Sequence, residues 1–150
     1  MQKLDHVLGK LLQFITTISL SITVLITLLQ VLFRYLFKSP LSWSQEVLMI
    51  SFVYSILFGA ALAIKNKEHL TVDLFDNLSA IKEKILVTVE FIITGTVILT
   101  LLYFGWELVR ANLASGQIVG ILPLKKAYVY LAIPISALFM LYFHIRKVIK

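Results

Sequence analysis

Four apolar runs, each long enough to cross a bilayer, constrain this chain more than any other feature. The first, residues 11–33, carries no charge and would reach about 35 Å as a helix, against a hydrocarbon core of roughly 30 Å. Three more follow at about 44–64, 85–106 and 127–145. The chain is 59% hydrophobic and 15% charged, whereas soluble domains carry about a quarter charged residues. A soluble fold of 150 residues could not bury that much apolar surface, so the bilayer must cover it. The expectation is an all-α membrane protein, residues 1–150 forming a single membrane domain with four transmembrane helices.

Lys3 and Lys10 precede the first run, as in a secretory leader. A leader has an apolar region of roughly 7–15 residues and a small-residue cleavage site, and this run is longer and lacks one. It reads as a retained span. The net charge of +6 sits in short clusters between spans, the pattern that encodes topology, with no aromatic-basic platform for nucleic acid. Cysteine is absent, which excludes disulfides, thiolate chemistry and Cys-ligated metals.

Nine of the 14 Lys and Arg residues fall in the N-terminus, the middle loop and the C-terminus; Arg34, Lys38, Arg110, Lys125 and Lys126 fall on the other side. The positive-inside rule then puts both termini in the cytoplasm, with Trp43, Trp106, Tyr103, Tyr128 and Tyr130 as an outer aromatic belt. Ser39-Pro40-Leu41 breaks the helix after the first span, and Ser42 with Gln45 reads as an N-cap and capping box for the second. Between spans two and three, Leu70, Leu74, Leu78 and Ile81 recur at helical spacing, which predicts a short interfacial helix. Arg110 to Leu124 reads as a connection punctuated by Gly116, Gly120 and Pro123, and Pro134 falls inside the last span.

Two faces are too polar or too small for lipid alone. Thr16, Ser19, Thr23, Thr27, Gln30 and Arg34 follow one another at helical spacing, and Ser51, Ser55, Gly59 and Ala63 repeat every four residues, a pattern that lets helix backbones approach closely. Thr94, Thr96 and Thr100 add a third hydroxyl-bearing helix. Either these stripes pack on the chain's own helices or they dock another membrane protein.

Candidate chemistry is sparse. Glu90 is the one acid deep within an apolar span; it is a candidate for ion coupling, or an interfacial carboxylate paired with a nearby Lys. Glu46 and Glu107 lie at the outer ends of spans two and three, in one layer with Arg34 and Arg110, and Arg–carboxylate pairing there would hold the helices in register. His69, Asp73 and Asp76 form the one constellation resembling a metal site, and His69 and Asp73 would share a helix face, but a third ligand and a second shell are not evident, and the alternative is a solvated surface helix. His6, His69 and His144 sit at span ends, not where a membrane haem needs axial ligands, and no hydrolase or phosphate-cradling pattern occurs. No cofactor and no enzymatic activity are expected.

The ordered set Phe33-Arg34-Tyr35, Ser42-Trp43-Ser44-Gln45-Glu46, Gly59-Ala60-Ala61-Leu62-Ala63 and His69-Leu70-Thr71-Val72-Asp73 resembles the small membrane subunit of tripartite ATP-independent periplasmic (TRAP) transporters. Gly120-Ile121-Leu122-Pro123 and Tyr130-Leu131-Ala132-Ile133-Pro134 are similar to that family's outer hairpin and its Ile-Pro in the fourth span, although Lys125-Lys126 stands where apolar or aromatic residues are frequent. The resemblance implies structural roles for Arg34, Trp43, Glu46, His69, Val72, Asp73 and Pro134. It also implies an inner-membrane scaffold beside lipids, a large many-helix partner subunit with substrate and sodium sites that moves as an elevator, and a periplasmic substrate-binding protein. Cargo in the family is organic acids, including sialic acids and C4-dicarboxylates. A reading from the residues alone also leaves a small homo-oligomeric exporter or channel using Glu90.

Overall fold

The computed structural model describes the backbone of residues 2–66 and 80–149, and the side chains of residues 5–66 and 85–146. Its elements are α1 (Gln2–Tyr35), α2 (Ser44–Asn66), α3 (Ala80–Ser115), a two-stranded hairpin of β1 (Ile118–Val119) and β2 (Leu122–Lys125), α4 (Lys126–Tyr130) and α5 (Ala132–Ile149). Four helical segments are long and apolar enough to cross a membrane: Asp5–Tyr35, Ser44–Asn66, Ile85–Ser115 and Lys126–Arg146. The chain is thus an all-α, multi-pass membrane protein with one small hairpin. The interfacial helix expected around His69, Leu70, Val72, Asp73, Leu74, Asp76 and Leu78 lies outside the described residues.

Three boundaries differ from the sequence expectation. α3 does not stop near Trp106 but runs on through Glu107, Arg110 and Asn112 to Ser115, so only the rest of the expected connection is non-helical. Polar residues do not end a helix once it has left the hydrocarbon; they simply reach water. Asn112 and Ser115 bond back to the carbonyls of Leu108 and Asn112. Ser42 is not the cap of α2. Its helix starts at Ser44, the Trp43 carbonyl accepts the N–H of Val47, and Gln45 turns across to Gln30.

The fourth span is two helices, broken at Leu131. Pro134 explains the break. Its ring conflicts with the carbonyl four residues earlier, that of Tyr130, where α4 ends, and it then sits in the first turn of α5, where a missing N–H costs little. Bonds from Leu131 N–H to Ala127 and from Ile135 N–H to Leu131 keep the two pieces nearly in line.

The spans pack as a row. α1 lies on α2, α2 on α5, and α5 on α3, while α3 makes only marginal contact with α1 or α2. One apolar cluster runs through the row: Leu12 of α1, Phe58 and Ala61 of α2, Met140 and Phe143 of α5, and Ile98 of α3. Consequently α5 is the most enclosed span, and α1 and α3 are edge helices that present most of their side chains outward.

Candidate functional site

The outer rim is built from the start of α2 and the hairpin. Glu46, in the first turn of α2, accepts the backbone N–H of Ile121 on one carboxylate oxygen at 2.7 Å and that of Leu122 on the other at 3.0 Å. Two successive amides form a small anion-binding concavity, and the carboxylate fills it. Val119 pairs with Leu122, so Gly120 and Ile121 form a two-residue turn with glycine first. Gly120 has φ +40°, and a Cβ there would fall on the Glu46 carboxylate. Glycine is required twice over: by the backbone and by the acid above it.

This replaces the Arg–carboxylate layer expected at this level. Among the described residues no ion pair joins Glu46 to Arg34 or Arg110. Arg34 lies over the ring of Tyr35, its guanidinium carbon 5.8 Å from the ring centre, and both it and Glu107 are exposed. Trp43 is partly exposed beside the cap it supplies.

The two stripes read from the sequence face each other. The Thr23 and Ser51 hydroxyls are 3.0 Å apart across the α1–α2 seam. Each is also within reach of a carbonyl of its own helix, Ser19 for Thr23 and Val47 for Ser51. One proton serves the contact between them and the other goes to a backbone carbonyl, so both hydroxyls are satisfied. Ser19, Ser51 and Ser55 are buried, Ser55 bonding the carbonyl of Phe52. Further along, Gly59 faces the Thr16 methyl and Gln30 donates to Gln45 at 3.0 Å. Thr27 is exposed and bonds back to the Thr23 carbonyl, as Thr96 and Thr100 do to Ile92 and Thr96. Ala63 is half-buried near the far end of α2.

A tighter contact than that at Gly59 lies between α3 and α5. A Cβ on Gly59 would stand 3.5 Å from Thr16, an ordinary contact, whereas one on Gly105 of α3 would lie 2.7 Å from Ile133 and 3.4 Å from Pro134. Gly105 sits between Phe104 and Trp106 with no small-residue repeat around it, so periodicity gives no sign of it. The break before α5 and this glycine are complementary: the bulk of Ile133-Pro134 needs the missing side chain.

At the end that holds both termini, Arg146 forms an ion pair with Asp5, and the Tyr142 hydroxyl donates to the same carboxylate oxygen at 3.0 Å. This joins α1 to α5, which otherwise touch little. Nearby, His144 is buried, its ring stacked on Phe91 of α3 at 4.1 Å and 9°, and Gly95 leaves room for Nε2. Glu90 precedes Phe91 on α3 and is half-buried. Among the described residues no three His, Asp or Glu side chains converge as metal ligands would.

Residues 23–150 match the family described as "Tripartite ATP-independent periplasmic transporters, DctQ component". A TRAP transporter small permease protein of Haemophilus influenzae is 29% identical over 136 residues, which cover 90% of this chain and 81% of that protein. The sialic acid TRAP transporter permease protein SiaT of Haemophilus influenzae is 30% identical over 118 residues, 78% of this chain but 19% of that much longer one. The sialic acid TRAP transporter small permease protein SiaQ of Vibrio cholerae is 23% identical over 116 residues, covering 77% of this chain and 66% of that protein.

Proposed function

The chain belongs to the DctQ-component family of tripartite ATP-independent periplasmic transporters, and from that premise we propose that it is the scaffold subunit of a sodium-coupled importer of organic acids. It is a component of a transporter in the bacterial inner membrane, not an enzyme. In the proposed role it supports a large elevator subunit without binding substrate itself, while a periplasmic binding protein delivers the cargo. The likeness to SiaT supports the large partner, because the matched region is about a fifth of that permease. The likeness to SiaT and SiaQ favours sialic acid over the C4-dicarboxylate class as cargo.

One observation carries the scaffold reading: the spans form the row α1–α2–α5–α3 rather than a ring around a path. The polar stripes of α1 and α2, which could line a path, are instead joined to each other in the α1–α2 seam. A plate of helices pinned at both ends suits a static support, and its edge helices offer long faces to a neighbour. Both termini in the cytoplasm, as the positive-inside rule favours, would put the Glu46 rim on the periplasmic side.

Gentle solubilisation of native membranes, capture of this chain and mass spectrometry should recover a many-helix permease in fixed proportion. Recovery of a defined multimer of this chain alone, with transport abolished by Glu90→Gln, would instead favour the small exporter.

A further inference from the structure

The hairpin presents large aliphatic side chains left open by the described residues: Ile118, Ile121 and Leu124 are 54, 66 and 47% exposed. Its level in the membrane is set by its neighbour. The Ile121 amide is bonded to Glu46, in the first turn of α2, where that apolar span begins. The hairpin also links two spans, leaving α3 and entering α4 directly. Around it lie the exposed rings of Trp43 and Tyr128, the exposed Lys125, and Lys126, whose ammonium donates to Gln117 at 3.2 Å. Aliphatic side chains, Trp and Tyr rings and lysines at one level are what the boundary between headgroups and acyl chains favours.

We propose that this hairpin is a lipid-inserted wedge, with Ile118, Ile121 and Leu124 seated at the headgroup–acyl boundary of one leaflet and Lys125 directed to lipid phosphate. The Glu46 contact makes that placement affordable. A bare turn amide in a water-poor layer is strongly unfavourable, because no water replaces its lost hydrogen bond. Here the two amides of the tip are bonded to a carboxylate of the same chain. The wedge needs no second protein, and it does not depend on the transport role.

The chain has no cysteine, so Ile121→Cys and Leu124→Cys each give a unique attachment point for a nitroxide. Neither substitution removes a backbone N–H. The full chain is reconstituted alone in vesicles of phosphatidylethanolamine and phosphatidylglycerol, with Leu25→Cys, exposed at mid-span of α1, as the hydrocarbon reference. Power saturation should show oxygen reaching both hairpin labels more readily than a water-soluble nickel complex, at a depth between the Leu25 label and a label free in buffer. Adding Glu46→Ala should shift the Leu124 label toward the nickel complex. Nickel accessibility equal to that of the free label at both hairpin positions overturns the proposal. Such values, if abolished only when another membrane protein is added, would assign the surface to a protein partner instead.

Discussion

The carboxylate of Glu46 spans the amides of Ile121 and Leu122, one oxygen to each, and so joins the start of the second span to the turn that precedes the fourth. Two segments far apart in the chain form one structural unit, with Gly120 shaped to admit the acid.

Removing that acid should loosen the hairpin before anything else. Hydrogen bonds to a charged group contribute about 1.5–3 kcal/mol, and the partial exposure of this pair argues for the lower end. Glu46→Ala should accelerate amide exchange at Ile121 and Leu122 while α5 is unchanged. Glu46→Gln, which keeps one good acceptor, should fall between. Exchange at both amides indistinguishable from wild type would show that the bonds are not formed in the membrane.

Gly105 and Gly59 should differ in how much added bulk they tolerate. Gly105→Val forces branched bulk into Ile133 and Pro134, and overpacking of this kind costs about 1–3 kcal/mol. Gly59→Ala adds a methyl at ordinary contact distance from Thr16 and should be near neutral. Thermal unfolding in detergent reads both; equal losses would mean the α1–α2 seam is as tight as the α3–α5 approach.

Thr23 and Ser51 should be coupled, though weakly. Interhelical hydrogen bonds in membranes average about 0.6 kcal/mol, since each hydroxyl finds its own helix when the partner is lost. That fallback is visible here in the carbonyls of Ser19 and Val47. A double-mutant cycle of Thr23→Val and Ser51→Ala should return a coupling of that size, and strict additivity would contradict the contact.

Asp5→Asn should free the ends of α1 and α5 from each other. The pair is partly solvated, so its contribution is small and should fall with added salt. Exchange should quicken in the last turns of α5 without change at the hairpin, because the two clasps sit at opposite ends of the helices.

The spans were legible in the sequence because an uncharged run of that length has one stable environment. Of the stripe residues, Thr23 and Ser51 bond each other across the α1–α2 seam, whereas Thr27, Thr96 and Thr100 bond back to their own helices. What seals the rim was not legible. Glu46 meets backbone amides 75 and 76 positions away, and an amide has no side-chain signature; only Gly120 hinted at it. Arg34 and Arg110 were the nearer guess by charge, but both are exposed and neither pairs with Glu46. Gly105 was hidden for another reason: its neighbours Phe104 and Trp106 are large, so no repeat marks it. Asp5 and Arg146 lie at opposite ends of the chain, and only the packing of α2 between α1 and α5 brings them into reach.

The scaffold role is tested most directly by uptake. The large membrane subunit, the periplasmic binding protein and labelled sialic acid are combined in proteoliposomes under an inward sodium gradient, with and without this chain. Uptake should require the chain, be lost when it is omitted, and persist with Glu90→Gln. Full uptake in its absence would contradict the account.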